Sequence, residues 1–162
     1  YYTISMIVRE EAAKRGIQIT RKNLQDLGNE IREKEGGGAW AKRIVEKIKR
    51  EKEEKDYIID GIRNPGEVKE LRKLPNFFLI AVDAPQKIRF ERVLKRAKPS
   101  DPKTWEGFLE IDERDFGKNE PEWGQQVGEC MEMADFYIMN DSDIDTFKRK
   151  IREVYDKIKF ER

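Results

Sequence analysis

The run Phe77-Phe78-Leu79-Ile80-Ala81-Val82 holds six consecutive apolar residues with no polar interruption. A strand without alternation has no face to give to water, so the run predicts a strand buried on both faces. That is the signature of a parallel sheet covered by helices on each side. Its neighbours agree. Tyr57-Ile58-Ile59 reads as a second short strand running to Asp60, a helix is predicted from Pro65 to Leu74, and another from Pro85 to about Ala97. Strand, helix, strand, helix in that order calls for parallel crossovers and an α/β fold. Shorter strands are predicted at Tyr1–Ile4 and Phe136–Met139. The terminal helix carries Ile144, Phe147, Ile151, Val154 and Ile158 on one face, which predicts a core stripe.

At 162 residues the chain suffices for one domain with a core, taken as residues 1–162. The 34 basic and 33 acidic side chains nearly cancel to +1, so no global field favours nucleic acid or a membrane surface. Any phosphate binding must come from local arginines. The sequence has no histidine, which removes His triads, His general bases and His-ligated zinc together. Its one cysteine, Cys130, sits beside Met131 and Met133 and reads as helix packing. No window is long and apolar enough to span a bilayer and no signal pattern stands at Tyr1, so a cytoplasmic chain is expected. The abundance of Lys, Glu and Arg matches a hyperthermophile surface.

Helices are predicted from Met6 towards Gly16 with Ser5 as cap, and from Arg21 to Glu35 behind Thr20. A third runs from Ala39 to about Glu54, with Trp40, Ile44, Val45 and Ile48 as its apolar face. Gly36-Gly37-Gly38 follows a helix without a phosphate loop's lysine spacing, so it reads as a helix end. Between Val82 and the terminal helix, Asp101-Pro102 opens a predicted helix from Lys103 to Asp115. A turn over Lys118–Gly124 and a helix from Gln125 through Met133 follow, and Gln125 or Gln126 is a candidate to read a base edge. Arg89, Arg92 and Arg96 form a stripe along the helix after Val82, beside an apolar face of Phe90, Val93, Leu94 and Ala97.

The segment with most chemical content is Asp60-Gly61-Ile62-Arg63. It puts an acid and an arginine at the carboxyl end of a strand, where open α/β sheets bind ligands. An Asp there can hold Mg2+ through water, and an Arg can fork onto phosphate. By residue type alone the same segment reads first as a helix cap and a surface arginine, and Arg9 is equally a solvated partner for Glu10.

Asp60-Gly61-Ile62-Arg63 resembles the Asp-Gly-aromatic-Pro-Arg segment of adenylate kinase and other nucleoside monophosphate kinases. The wider run Tyr57 to Leu71 resembles a group of archaeal P-loop nucleotide kinases related to adenylate kinase or dephospho-CoA kinase. The resemblance implies a P-loop nucleoside-kinase-like α/β fold, a three-layer αβα arrangement with a parallel sheet and a short helical lid over about residues 98–124. It implies that Asp60 is the metal-side carboxylate and that Arg9 and Arg63 grip the acceptor. Arg92, Arg96 and Arg114 would meet the transferring phosphoryl group, with Asp112 or Asp115 as positioning acids, and Asn140 to Asp143 would touch the adenine. Mg2+ and ATP are the implied cofactors. Met6 stands where the family has an acid.

The family's phosphate loop is not in the sequence: no Gly-x-x-x-x-Gly-Lys-Ser/Thr occurs in it. In the family that strand lies mid-sheet, between the strand at Tyr57 and the one at Phe77 or Phe136. The expectation is a kinase scaffold with the central P-loop strand missing from this sequence, completed by an upstream segment, a partner strand or a homo-oligomer. The function expected is γ-phosphoryl transfer from Mg-NTP to a small phosphate-bearing nucleotide acceptor, with dephospho-CoA as a second acceptor. A non-catalytic binding or interaction module is the alternative. Nucleic-acid binding is disfavoured by the neutral charge.

Overall fold

The computed structural model describes residues 1–51, 55–98 and 101–161. In chain order the elements are β1 (Tyr2–Thr3), α1 (Ile4–Lys14), α2 (Arg21–Glu35), α3 (Ala39–Arg50), β2 (Ile59–Asp60) and α4 (Pro65–Leu71), then β3 (Ile80–Asp83), α5 (Gln86–Arg96), α6 (Trp105–Phe116), α7 (Val127–Glu132), β4 (Phe136–Met139) and α8 (Ile144–Glu161). The third helix ends at Arg50, and Lys52 to Glu54 of its expected tail lie outside the described residues.

The first half is a helical core. α1 turns Ile4, Ile7, Val8 and Ala12 inward, at the three- and four-residue spacing that keeps one face together. They meet Leu27 and Ile31 of α2 and Trp40, Ile44 and Val45 of α3. Trp40 is wholly buried, and its ring N–H donates to the Gly28 carbonyl at 3.1 Å, so its polar atom is satisfied. α1 is capped by Thr3, whose hydroxyl accepts from the Met6 amide at 3.0 Å; Ser5, the expected cap, lies inside the helix and shares a hydrogen bond with Thr3.

The glycine triplet does more than end α2. A Cβ on Gly38 would lie 2.6 Å from the Gly66 carbonyl oxygen and 2.5 Å from Glu70 Cγ, so the starts of α3 and α4 touch nearly backbone to backbone. We expect Gly38→Ala to cost about 1–3 kcal/mol in urea unfolding, because a backbone carbonyl cannot move aside as a side chain can. An unchanged midpoint would mean that the two helices part freely.

The strands pair as two separate two-stranded parallel sheets, β1 with β2 and β3 with β4. Tyr2 stands opposite Ile59 in the first, and Ile80 opposite Phe136 in the second. The parallel crossovers are as expected; burial on both faces is not. Leu79 and Ala81 are buried, whereas Ile80 and Val82 are 40% and 50% exposed. The cause is coverage: among the described residues β3 pairs only with β4, and α8 packs mainly on β4. The same open side leaves Ile144 at 62% and Ile151 at 42% exposure, so the terminal stripe is a core face only in part, at Ile158.

The remaining helices follow side-chain logic. α5 buries no residue fully, and Leu94 of its expected apolar face is exposed, while Phe90 packs on Trp105 and Phe108 of α6. α6 begins behind Thr104, whose hydroxyl caps Gly107, and not at Asp101-Pro102. Cys130 is buried, and loss of hydration pushes its thiol up to about 12. Among the described residues no helix is long and apolar enough to cross a membrane.

Candidate functional site

β2 ends in Asp60, and Gly61 turns the chain at φ +82°, a left-handed conformation natural to glycine. Arg63 follows on a loop fixed from both sides. Its amide donates to Glu67 Oε2 at 2.8 Å, and its carbonyl accepts from the Gln126 amide at 2.6 Å. Asn64 caps α4 through Oδ1, and its amide nitrogen donates to the carbonyls of Glu122 and Gly124, both at 2.9 Å. The loop is held by side chains that are themselves buried.

Glu67 is the hub. Its carboxylate is fully buried and accepts from the amides of Arg63 and Asn64 on one oxygen and from the Arg32 guanidinium on the other. Both Arg32 Nε and Nη2 lie 3.0 Å from Oε1. Burial pushes the Glu67 carboxyl up, and Arg32 and the two amides oppose that. A glutamate of this burial gives no signal in a sequence, although Asn64-Pro65-Gly66-Glu67 has the spacing of a capping box.

The Arg63 side chain is half-exposed. Nη1 donates to Gln125 Oε1 at 2.7 Å and lies 3.3 Å from Asp115 Oδ2. Nε and Nη2 have no acceptor among the described residues, which leaves one edge of the guanidinium open. Gln125 is buried with its oxygen on Arg63, so it is not free to read a base. Asp60 is exposed and accepts from the Tyr1 hydroxyl at 3.1 Å.

β3 repeats the pattern with Asp83, which accepts from the Ala84 amide at 2.7 Å and the Tyr137 hydroxyl at 2.8 Å. Arg89 donates to the Ala84 carbonyl at 2.8 Å, pairs closely with Asp112, and rests over the rings of Phe108 and Phe116. Asp83 and Arg89 were readable as an acid at a strand end and an arginine one turn later, yet neither is among the expected site residues.

The other expected residues scatter. Arg92 and Asn140 come together, the guanidinium donating to the Asn140 carbonyl at 2.8 Å and to that of Ser142 at 3.4 Å. Arg96 forks onto Asp101 at 2.9 and 2.7 Å and holds that carboxyl below its usual range. Arg114 donates to Glu120 at 2.7 Å. Arg9 is exposed, with no ion pair among the described residues. No group of three or more His, Cys, Asp or Glu side chains converges on a metal position among those residues. Mg2+ would therefore rest on ligand phosphates and water with a single carboxylate, Asp60, which is how this ion is commonly held.

Residues 1–108 match a family model described as an AAA domain. The UPF0200/UPF0201 protein of Archaeoglobus fulgidus is 42% identical over 155 residues, covering 94% of this chain and 46% of that protein. The UPF0200 protein of Pyrococcus horikoshii is 37% identical over 155 residues, covering 93% of this chain and 80% of its own length. That of Pyrococcus abyssi is 41% identical and covered over 79% of its length. The chain thus spans under half of the first relative and about four fifths of the other two. With parallel strand pairs flanked by helices and these matches, the chain belongs to the UPF0200 family and to the P-loop NTPases.

Proposed function

We propose that this chain is the acceptor and lid part of a P-loop phosphotransferase of the nucleoside monophosphate kinase type, which moves the γ-phosphoryl of a Mg-bound NTP to a small phosphate-bearing acceptor. The observation that carries the reading is Arg63: an arginine at the carboxyl end of a parallel strand, with an anchored backbone and one open guanidinium edge. A phosphate takes two parallel N–H donors from such an edge. Asp60 stands three residues before it as the metal-side carboxylate. Arg9 is the second acceptor ligand, Arg92 meets the transferring phosphoryl group, and Asn140 touches the base.

The sheet gap belongs to the same proposal. Among the described residues β2 and β3 each have one partner, and Ile58, Ile80 and Val82 of these segments are 69%, 40% and 50% exposed. A fifth parallel strand between them, supplied from outside residues 1–162, would pair both edges and cover these side chains. A strand leading into a glycine-rich loop and a helix at that place would set backbone N–H groups at the height of Asp60 and Asp83. Mg2+ and ATP bound there supply the activated phosphoryl group and its charge neutralisation. Arg63 and Arg9 then orient and balance anionic oxygen. Arg96 and Arg114 contribute only on leaving Asp101 and Glu120.

The engagement of Arg96 by Asp101 and of Arg114 by Glu120 favours a second reading, a non-catalytic nucleotide-binding or protein-interaction module. Calorimetric titration of this polypeptide with AMP, dCMP and dephospho-CoA, then with ATP and Mg2+, tests both. The expected result is binding of a monophosphate and none of ATP. Tight ATP binding overturns the division of labour; failure to bind any phosphate ester overturns the Arg63 site.

A further inference from the structure

α6 presents two carboxylates three residues apart, Asp112 and Asp115, to Arg89 of α5 and to Arg63 of the β2–α4 loop. Asp112 is nearly buried and grips Arg89 while accepting from Gln86 at 3.1 Å. Asp115 is different. It meets Arg63 through one oxygen at 3.3 Å, with both side chains partly open to water at 29% and 43%. The first contact is built into the packing; the second is a loose ion pair at an arginine with an open edge.

We infer that Asp115 is a placeholder for an anionic ligand: it holds Arg63 when no phosphate is bound, and a phosphate group arriving on the open Nε–Nη2 edge displaces it. The inference rests on the reading of Arg63 as a phosphate ligand and adds the group that competes with it. A carboxylate beside an incoming phosphate repels it, so Asp115 must move away or raise the cost of binding. Moving it loosens the end of α6 from the β2–α4 loop, while Asp112 and Arg89 keep the rest of that helix seated. Asp115 thus positions Arg63 in the free chain and sets the negative charge a ligand must carry to claim it. In the bound chain Gln125, which is neutral, remains on Nη1 and keeps the guanidinium oriented.

The test is calorimetric titration of the full chain with inorganic pyrophosphate at fixed ionic strength. Asp115→Asn is expected to tighten binding about fivefold, the upper range for one partly exposed ion pair. Asp115→Glu, which keeps the charge, leaves affinity near that of the parent, and Asp115→Ser serves as a second neutral variant should the first fold poorly. Glu113→Gln removes the same charge from a side chain that pairs with Lys118 at 2.7 Å instead of Arg63, and leaves affinity unchanged. Equal tightening by Glu113→Gln and Asp115→Asn would reduce the effect to net charge and overturn the inference. If Arg63→Ala abolishes binding but Asp115→Asn does not tighten it, the exchange alone fails. If Arg63→Ala leaves binding intact, the phosphate reading of Arg63 fails first.

Discussion

Glu67→Ala is expected to lower the unfolding free energy by about 3–5 kcal/mol, the cost of stranding one member of a buried ion pair. Arg32 is 5% exposed and would keep its charge with no carboxylate to meet it. The amides of Arg63 and Asn64 would lose their acceptor at the same moment. For a domain of this length such a loss lowers Tm by about 10 °C or more. Urea unfolding of the single variant and of Arg32→Met with Glu67→Leu separates the contributions. The double variant should recover most of the stability, because a well-packed apolar pair can replace a buried ionic one. It should not recover anion affinity at Arg63, since the two loop amides still lack their acceptor. A single variant within 1 kcal/mol of the parent would show that Glu67 does not hold this loop.

The second large effect is on turnover. In a protein whose sheet is completed by a phosphate-loop strand, Arg63→Ala is expected to reduce phosphoryl transfer by roughly 10²–10³-fold, the usual cost of losing one preorganised donor to developing charge. Arg63→Lys should restore little. An ammonium is a point donor, and the open edge of Arg63 offers a planar pair. Arg96→Ala and Arg114→Ala should cost less, because each arginine must first abandon a local carboxylate, Asp101 or Glu120. Steady-state rates with the best acceptor from the titrations decide the matter. Equal losses at all three positions would mean that the lid reorganises on binding and that the free-state pairs have little say. No loss at Arg63 would remove the kinase reading of the site.

What the sequence made legible follows from local rules. Spacing of apolar residues marked α1, α2 and α3, and Asn64-Pro65 marked the start of α4 within one residue. β-branched and aromatic runs located all four strands, because such side chains suit a pleated surface wherever it lies. Coverage was another matter. Phe77 to Val82 is apolar throughout, but whether Ile80 and Val82 are buried depends on which elements lie over them, and no local pattern records that. Caps were ambiguous for a similar reason: Thr3 and Ser5 both carry a hydroxyl, and the backbone conformation selects Thr3. The site shows the same limit. Asp60 and Arg63 stood out because turn and strand fix their place. Which of 33 acids meets each arginine is decided by tertiary packing. Arg92 therefore went to Asn140, Arg96 to Asp101 and Arg114 to Glu120 without any spacing to announce it.

The open edges of β2 and β3 also bear on how this polypeptide behaves in company. A parallel strand with one strand partner among the described residues, near exposed Ile58, Ile80 and Val82, is a template for any other chain that can extend beside it. The surface that would accept a fifth strand is the surface through which copies would stick to one another. Filling it would remove that template and keep the protein dispersed at high concentration.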